Sequence, residues 1–556
     1  MLGRLLRFYF AFLMGLFLSA NLYADSSSLA DLLGSISVQH GGRVKPFESF
    51  ARESVLYVTG KTSYHKIPAT ILVWSWMADG EKWSSQPMIY VSHPELRKKF
   101  SSDLVHNRIS PALILADLDF LKDVEVAQQK NQMKEKLNPI EDKTLELYSR
   151  AQVFEEIRSG LMPGFIPHPD HPTTSWVPIQ GIVSNEGITI LKSAFPEDSV
   201  AALQDSCVYF LGRMKQGNFE LAVTSAQIFK SDLEKLLSSR GIGMDEFKIK
   251  VELFYWHFRP FSLASLMYAL SLVFWMFTHY KPKVKTLAFS VFTIAFLFHT
   301  LGFILRIVIA GRPPVSNMYE SIIWVAWGAV LFSWILWFFY RSSLIPMVSA
   351  SVAVLALLIG ESLPAVLDPA IKPLVPVLRS NYWLTIHVLT ITLGYAAFLL
   401  NWGIAHVLVF NLTFHPSKKK NLASLTEFLY RSLQIGLMFL SAGTILGGVW
   451  AADSWGRFWG WDPKETWALI AILAYLAVLH ARTAGWLDSF GVAFYSIICF
   501  LCVLMAWYGV NFVLAAGLHS YGFGGGGVQY VLTVIAIDFL FLAYCTKKCR
   551  SHTIEQ

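Results

Sequence analysis

The residues whose types and spacing most clearly suggest ligand binding lie in one short loop that is unusually rich in tryptophan. Its sequence is Trp455-Gly456-Arg457-Phe458-Trp459-Gly460-Trp461-Asp462-Pro463-Lys464-Glu465-Thr466-Trp467. Glycines between the tryptophans let the backbone bring flat rings close together, and flat aromatic faces in an apolar site suit a planar ligand. Tryptophan is also enriched where proteins meet the membrane interface. The loop alone therefore leaves two interpretations open, an aromatic belt and a platform for a flat ligand.

Three histidines in or beside apolar segments are candidate metal ligands, since neutral imidazole is the commonest metal ligand in proteins. The sequence puts His387 near the start of one apolar run and His519 just after another, both at the height of the tryptophan loop. His480 follows Glu465 along a third run, and a rise of ~1.5 Å per residue puts it roughly 22 Å deeper. A single interfacial histidine is more often structural, whereas two beside a tryptophan loop favour a shared ligand.

These residues belong to a chain that is too apolar for a soluble protein of its size. Of its 556 residues, 54% are hydrophobic and 15% are charged, and the mean hydropathy is +0.45. This composition indicates a membrane protein. The formal net charge of +7 comes from lysines and arginines gathered in short loops between apolar runs, as membrane orientation requires, so no nucleic-acid partner is expected.

Nine apolar runs approach the ~20 residues needed to cross a bilayer, which predicts an all-α polytopic membrane domain. They are 262–278, 286–309, 318–340, 344–359, 383–412, 432–450, 466–481, 490–515 and 528–544. Basic loops alternate with the others, and the positive-inside rule puts every basic loop in the cytoplasm if residue 25 lies outside. The tryptophan loop, His387 and His519 are then expected to face outward.

The chain before these runs divides into two parts. Residues 1–24 have the layout of a secretory signal, with arginines before an apolar core, and are expected to be cleaved or to remain as a signal anchor. Residues 25–257 have ordinary polarity, which predicts an extracytoplasmic domain of mixed α/β fold with a helical stretch at 122–158 and candidate strands at 189–192 and 220–224. Residues 258–546 are then the membrane domain and 547–556 a cytoplasmic tail.

At the tryptophan loop the sequence resembles the WWD signature of haem-handling proteins. The ending of the loop is similar to CcsA, also called ResC, the membrane subunit of the CcsBA-type cytochrome c synthetase: Pro463-Lys464-Glu465-Thr466-Trp467. A second stretch is similar to the family's Asn-x-Tyr-Glu-Ser element: Arg312-Pro313-Pro314-Val315-Ser316-Asn317-Met318-Tyr319-Glu320-Ser321. The resemblance covers most of residues 262–545. The relatives CcmC and CcmF share a WWD loop but lack this combination.

The resemblance implies haem b as the ligand of this region. The loop residues expected around it are Trp455, Arg457, Trp459, Trp461, Asp462, Lys464 and Trp467. His387 and His519 match the positions that ligate the external haem iron in the family, and His480 matches the ligand of its intramembrane haem. Arg457, Lys464 and Arg312 are candidates to bind the haem propionates, although surface screening explains these cations nearly as well. Asp462 also suits a helix cap, and for this residue the structural role is favoured.

The intramembrane haem would need a second imidazole. In fused members of the family this histidine belongs to the CcsB portion, whereas residues 1–24 of this chain contain no histidine and the apolar runs predict no CcsB-like set of spans. Either a separate CcsB/ResB-like membrane protein supplies the ligand, or His299 does. The separate subunit is favoured because His299 lies nearer the bilayer centre than His480, and hydrogen-bonded histidines within membranes are common.

The resemblance also implies a function. The chain is expected to accept haem from the cytoplasmic side of a bacterial inner membrane and to present it on the periplasmic side for covalent attachment to the Cys-x-x-Cys-His motif of apocytochromes c. It would act there as a subunit of a holocytochrome c synthase of the haem lyase type. Thiol-reducing proteins that keep those cysteines reduced are further expected partners. Two rivals remain: a haem exporter or chaperone that presents haem without forming the thioether bonds, and a transporter or scaffold whose tryptophans form an aromatic belt.

Overall fold

The structure is a computed structural model, and it describes residues 28–168, 176–217, 219–242, 244–278, 283–364, 366–374, 380–415, 419–514 and 527–554. Contacts divide the chain into two compact units. The N-terminal unit comprises the described residues up to His257 together with Ala370–Pro373, and the membrane unit comprises the other described residues from Phe258 onward. The signal predicted at residues 1–24 lies outside the described residues.

The N-terminal unit is mainly helical and contains two small sheets. Its helices are α1 (Ser28–Gly34), α2 (Phe47–Thr59), α3 (Ala69–Ala78), α4 (Gly80–Ser84), α5 (Pro94–Lys99), α6 (Pro111–Ala116), α7 (Leu118–Gln132), α8 (Pro139–Arg158), α9 (Ile179–Val183), α10 (Asn185–Ala194), α11 (Glu197–Lys215), α12 (Phe219–Ser239) and α13 (Glu246–Phe258). Its strands are β1 (Ser37–His40), β2 (Arg43–Pro46), β3 (Ile89–Tyr90), β4 (Arg108–Ile109), β5 (Gly164–Pro167) and β6 (Trp176–Pro178).

The larger sheet is antiparallel, with strand order β2-β1-β5-β6, and β3 pairs with β4 separately. The β1–β2 hairpin pairs Ser37 with Pro46 and His40 with Arg43. An aromatic cluster forms the centre of the core beside the sheet, and its members are Phe47, Trp74, Phe165, Phe210 and Phe229. The small sheet agrees with the mixed α/β fold expected for this part of the chain.

The strands predicted at 189–192 and 220–224 are wrong, because both segments are helical. The first lies in α10, where the Ser184 side chain accepts a hydrogen bond from the Gly187 amide and so caps the helix. The second lies at the start of α12, whose residues Phe229, Leu233 and Leu236 are buried at helical spacing. Short apolar runs do not separate a strand from a buried helix, and here helix capping and longer-range periodicity decide.

The membrane unit contains nine helices that are long and apolar enough to span a bilayer, counted over the described residues. They are α14 (Pro260–Phe277), α15 (Val284–Ala310), α16 (Met318–Tyr340), α17 (Leu344–Ser362), α18 (Asn381–Phe414), α19 (Lys419–Trp455), α20 (Pro463–Thr483), α21 (Ser489–Leu514) and α22 (Val528–Ile554). Each predicted apolar run falls on one of these helices. The prediction of a polytopic helical membrane protein is therefore confirmed.

Two of the spanning helices contain π-helical stretches, which are rare and frequently lie at functional sites. One is Leu384–Val388, near the start of α18, and the other is Met505–Leu514, at the end of α21. The tryptophan loop lies between α19 and α20. The two π-helical stretches and this loop contribute residues to the same cavity, which is the candidate site.

Candidate functional site

The second half of the tryptophan loop is held in place by the cap of α20. Asp462 is the N-cap residue, and its carboxylate accepts a hydrogen bond from the Lys464 amide at 3.0 Å. In return the Glu465 carboxylate accepts from the Asp462 amide at 3.2 Å and from the Gly460 amide at 2.8 Å. This reciprocal arrangement is a capping box, followed by proline at the first helical position. The favoured interpretation of Asp462, as a cap, agrees with this geometry.

The loop backbone turns sharply at two residues with left-handed conformation. Gly456 has φ of +69°, which costs glycine little, whereas Trp461 has φ of +57°, which is uncommon for a side chain of this size. The Trp461 ring is 70% exposed and meets the Trp459 ring edge-on, with centroids 5.9 Å apart. Backbone strain at an exposed aromatic residue is a feature that clusters at functional sites.

A cavity lies beside the loop, between helices of the membrane unit. It has an empty volume of about 1010 Å³, including space open to solvent, and its wall is mostly apolar. The residues that line it are Val315, Ser316, Asn317, Met318, Ser321, Leu384, His387, Val388, Ile391, Thr392, Tyr395, Thr444, Gly447, Gly448, Trp450, Trp459, Lys464, Glu465, Ala468, Trp507 and Asn511.

His387 is oriented in this cavity by a hydrogen bond to a neighbouring helix. It lies in the first π-helical stretch, and its Nδ1 donates to the Gly443 carbonyl oxygen of α19 at 2.8 Å. A carbonyl oxygen only accepts, so in the neutral ring Nδ1 carries the hydrogen and Nε2 carries the lone pair. A backbone carbonyl on one ring nitrogen is the usual arrangement of a histidine that binds metal through the other.

Glycines on α19 make room for this ring. A Cβ atom on Gly447 would lie 2.6 Å from Cε1 of His387, which is closer than real Cβ contacts. The Trp450 ring, one turn further along α19, meets the His387 ring edge-on at a centroid distance of 5.6 Å. The spacing of Gly443 and Gly447 is the small-residue pattern that lets helices approach closely in membranes.

Lys464 is the lysine that lines the cavity among the described residues. Its Nζ donates to Oδ1 of Asn511 at 3.3 Å, and Asn511 lies in the second π-helical stretch. One turn earlier in that stretch, Trp507 donates from Nε1 to the Ser321 hydroxyl at 3.0 Å. The second π-helical stretch thus supplies both an amide beside the lysine and an indole ring in the cavity wall.

The tryptophans of the loop do not act as one flat platform. Trp459 lines the cavity, whereas Trp461 is exposed and Trp467 packs against the helical core. Trp455 lies under the Arg457 guanidinium, whose Cζ is 5.8 Å from the ring centroid. Arg457 in turn approaches the Glu465 carboxylate at 3.7 Å. Of these four tryptophans, Trp459 is the one whose side chain lines the cavity.

Among the cavity residues that had not been singled out from the sequence, three contribute an indole or an amide group to the wall. They are Trp450, Trp507 and Asn511, which come from helices α19 and α21 rather than from the loop. Their positions depend on helix packing and on a π-helical turn, neither of which a hydropathy pattern reveals. A sequence signal that could have indicated this part of the cavity is the spacing of Gly443 and Gly447 on α19, because small residues at this spacing allow close helix approach.

The other candidate histidines lie elsewhere. His480 is an exposed side chain near the end of α20, and its Nδ1 donates to the Leu476 carbonyl oxygen at 2.7 Å. It therefore has the same tautomer as His387, with the Nε2 lone pair in the neutral ring, but it does not line the cavity. His519 lies outside the described residues.

His299 is held on both ring nitrogens inside the bundle. Its Nε2 donates to the Ile323 carbonyl oxygen at 3.1 Å, and its Nδ1 lies 3.4 Å from the Tyr268 hydroxyl. The side chain is fully buried, with the Phe303 ring stacked on it at 5.4 Å. These contacts give His299 a structural role and leave no ring nitrogen for iron in this arrangement.

Arg312 is likewise buried rather than exposed toward a ligand. Its Nη1 lies 3.2 Å from the Glu320 carboxylate, which also accepts from Arg306 at 2.7 Å and from the Ser316 hydroxyl at 2.9 Å. This cluster belongs to the Asn-x-Tyr-Glu-Ser stretch. Asn317 of the same stretch caps α16 by accepting from the Glu320 amide at 2.8 Å, so the stretch fixes the start of a helix that borders the cavity.

Comparisons with known proteins agree with this architecture. The model of the cytochrome c assembly protein family matches residues 315–519, which include all of the residues named above as lining the cavity. NrfI of Wolinella succinogenes is 29% identical over 547 residues, covering 91% of this chain, and the chain spans 58% of the length of that protein. The cytochrome c biogenesis protein CcsA of Prochlorococcus marinus strain NATL2A is 35% identical over 296 residues, 47% of this chain and 92% of that protein.

A second CcsA, from Synechococcus sp. strain RCC307, is 31% identical over 297 residues and is covered over 93% of its length. The match to NrfI covers more of the chain than the matches to CcsA, each of which covers 47% of it. The described residues contain nine candidate spans, the family model crosses the cavity, and the chain covers 92% and 93% of the two CcsA proteins. The chain therefore belongs to the CcsA family of cytochrome c biogenesis proteins and is a multi-pass membrane protein.

Proposed function

We propose that the cavity beside the tryptophan loop binds haem b, with Nε2 of His387 as one axial ligand of the iron and His519 as the other. The observation that carries this proposal is the orientation of His387. Its Nδ1–H is bound to the Gly443 carbonyl oxygen, so the neutral ring carries a lone pair on Nε2, and the ring borders a mostly apolar cavity.

The chemistry of the wall supports a flat, largely apolar ligand that carries acidic groups. Trp459, Trp450 and Trp507 provide aromatic surface, and Lys464 provides a cation supported by the Asn511 amide. A partly desolvated carboxylate needs such a partner, which makes Lys464 the candidate to hold a haem propionate. Arg457 and the exposed Trp461 ring lie in the same loop and are candidates to contact the exposed edge of the ligand.

In this proposal the chain attaches haem to apocytochromes c on the outer face of the bacterial inner membrane. Each cysteine of a Cys-x-x-Cys-His motif adds its sulfur to one carbon of a haem vinyl group, and the thiol hydrogen goes to the other carbon. The addition is balanced without an oxidant, and it needs reduced cysteines, hence thiol-reducing partners. The contribution of this chain is to orient the ring and exclude water from it, which is an effect of positioning.

His480 supports a second haem site that this chain completes only with a partner. The side chain is exposed on α20, and its Nδ1–H is bound to the Leu476 carbonyl oxygen. An exposed imidazole on an apolar helix is accessible to a ligand shared with another membrane protein. Because His299 is buried and held on both nitrogens, we assign the opposing ligand to a CcsB/ResB-like protein.

The absorption spectrum of the purified chain tests haem binding. Wild-type protein is expected to carry a Soret band, and His387→Ala is expected to lose most of the haem of the outer site, with recovery when imidazole is added. His415→Ala is the matched control, since His415 is exposed at the opposite end of the same helix. Protein without a Soret band, or a His387→Ala variant that binds haem as wild type does, would refute the proposal.

Coexpression tests the attachment step. The chain, a CcsB-like partner and an apocytochrome c are produced together in a host that lacks its own maturation genes. Covalent haem on the cytochrome, lost in His387→Ala, is the expected result. Haem bound to the chain without attachment to the cytochrome would instead support a haem chaperone, and would overturn the synthase assignment while leaving the binding site intact.

A further inference from the structure

His406 and Asp538 form a polar contact between two spanning helices, away from the cavity. His406 lies on α18 and Asp538 on α22, and Nε2 of the histidine is 3.1 Å from Oδ1 of the aspartate. Their side chains are 23% and 8% exposed. Neither residue lines the cavity. Ionisable side chains inside membrane spans are costly, so a pair of them calls for a physical explanation.

The hydrogen bonds around the pair determine where hydrogens are present. Nδ1 of His406 donates to the Trp402 carbonyl oxygen at 2.9 Å, so this nitrogen carries a hydrogen. The Trp402 indole donates from Nε1 to Oδ2 of Asp538 at 3.0 Å, and thereby occupies one carboxylate oxygen. Both groups that meet at 3.1 Å, Nε2 and Oδ1, would then be acceptors if the imidazole were neutral and the carboxylate ionised.

Two acceptors at this distance repel each other, and the surroundings of the pair make that repulsion strong. The Phe541 ring stacks on His406 with centroids 5.1 Å apart, and the Phe500 ring lies 5.8 Å from the Trp402 ring. These aromatic contacts come from α22 and α21 and lower the local dielectric, which strengthens a satisfied hydrogen bond and penalises an unsatisfied one. One additional proton between Nε2 and Oδ1 converts the repulsion into a hydrogen bond.

We propose that His406 and Asp538 form a proton-binding site within the membrane unit, and that the proton they share holds α22 against α18. The proton lies on the imidazole or on the carboxyl group, and in either form the pair keeps one donor between two acceptors. Helix α22 is attached through few contacts. Among the nine candidate spans of the described residues it has the smallest buried share, 17% of its 18-residue apolar window. A single satisfied polar contact therefore has a large share in holding it.

A neighbouring pair of side chains allows the contact between these two helices to be measured. The Thr413 hydroxyl of α18 lies 3.5 Å from Sγ of Cys549 on α22. In a Thr413→Cys variant, oxidation of membranes should link position 413 to Cys549, and the yield measures how often the helices are docked. Lysines at 547 and 548 let trypsin separate Cys549 from Cys545, so mass spectrometry distinguishes the two cysteines.

Substitutions of His406 and Asp538 distinguish the loss of the shared hydrogen bond from a change in side-chain size. Asp538→Asn should keep the crosslink yield, because its amide donates to Nε2 of His406 and its oxygen still accepts from Trp402. Asp538→Leu and His406→Leu should each lower the docked fraction, by about threefold for a typical hydrogen bond between membrane helices. Asn411→Leu is the matched control on α18, since the Asn411 amide donates to the Val407 carbonyl oxygen within the same helix.

Nitrogen-15 NMR of histidine-labelled full-length chain tests the proton directly, with the His406 signal identified by its loss in His406→Leu. The expected result is an Nε2 signal of a protonated or hydrogen-bonded nitrogen, which changes to that of an unbonded lone pair in Asp538→Leu. An unbonded Nε2 in the wild type would overturn the proton site. Crosslink yields in the two leucine variants equal to that of the wild type would overturn its role in docking. Neither readout requires haem, so the outcome is independent of the proposed function.

Discussion

At the scale of single residues, His387 has its tautomer set by a hydrogen bond from Nδ1 to the Gly443 carbonyl oxygen, so Nε2 carries the lone pair in the neutral ring. Its type and its place beside an apolar run marked it as a candidate ligand. The contact with the Gly443 carbonyl could not be predicted from the sequence, because it joins residues on two different helices. The same holds for Arg312, a candidate for a propionate that in fact pairs with a buried glutamate. Residue type predicts chemical capacity, whereas packing decides how that capacity is used.

The Gly447→Ala substitution tests whether the position of His387 matters for haem. An added Cβ would lie 2.6 Å from the ring, so the ring must move and the hydrogen bond to Gly443 is strained or lost. Haem content per protein is expected to fall severalfold, with a shifted Soret maximum. Gly436→Ala is the control, because it crowds Phe398 at 2.6 Å on the same pair of helices without touching His387. Equal haem loss in both variants would indicate general disruption of packing instead.

A second residue-scale prediction concerns His40 in the N-terminal unit. Burial, together with the nearby charges of Lys45 and Lys372, lowers the pKa of His40 from 6.5 to about 4. The unfolded chain then binds more protons than the folded unit between these two values, so stability is complete above pH ~6.5 and falls as the pH drops toward 4. The loss for this residue is on the order of 2–3 kcal/mol.

Hydrogen exchange of full-length protein between pH 7 and 4 measures this effect, read on amides of residues 28–59 after correction for the intrinsic exchange rate. His40→Phe keeps an aromatic ring beside Phe50, which His40 meets at 5.0 Å, and removes the titration. Protection in this variant should depend less on pH than in the wild type. The same pH dependence in both proteins would show that other groups are responsible.

At the scale of elements, the spanning helices were the most predictable part of the chain. An apolar run of sufficient length forms a helix in a bilayer, because a single segment satisfies all of its backbone hydrogen bonds internally only as a helix. The strand predictions at 189–192 and 220–224 failed because a short run carries no such constraint. The π-helical stretches at Leu384–Val388 and Met505–Leu514 were not predicted either. Both lie inside continuous apolar runs, where hydropathy does not distinguish a π-helical turn from an α-helical one.

The cap of α20 provides the prediction at this scale. Asp462→Ala removes the N-cap acceptor and should destabilise the start of the helix by about 1 kcal/mol, whereas Asp462→Asn keeps an oxygen that can accept from the Lys464 amide. Haem binding should therefore weaken in the alanine variant and persist in the asparagine variant. Titration of haem into both purified proteins measures this difference. Equal loss in both would assign the Asp462 charge a direct role at the ligand.

At the scale of the whole molecule, the N-terminal unit includes a short segment from far along the chain. Ala370–Pro373 groups with this unit, although it lies between two spanning helices in sequence. Arg43 in the β1–β2 hairpin donates from Nε to the Ile371 carbonyl oxygen at 2.8 Å. The same guanidinium binds both oxygens of the buried Glu252 carboxylate, at 2.7 Å each. Composition and hydropathy divide the chain at the first span. They cannot reveal that a later segment packs with the N-terminal unit.

Arg43→Met should release this segment and destabilise the unit. Glu252 is 2% exposed, so loss of the arginine removes the ion pair of a buried carboxylate and leaves it the hydrogen bond from the Ser49 hydroxyl, at a cost of about 3–5 kcal/mol. Amides of residues 366–374 should exchange faster, as should those of the β1–β2 hairpin. The double variant Arg43→Met/Glu252→Met removes both charges and should restore most of the protection in the hairpin but not in the segment, because the bond to Ile371 stays absent. If the single variant left the exchange of both regions unchanged, Arg43 would not be the residue that holds them.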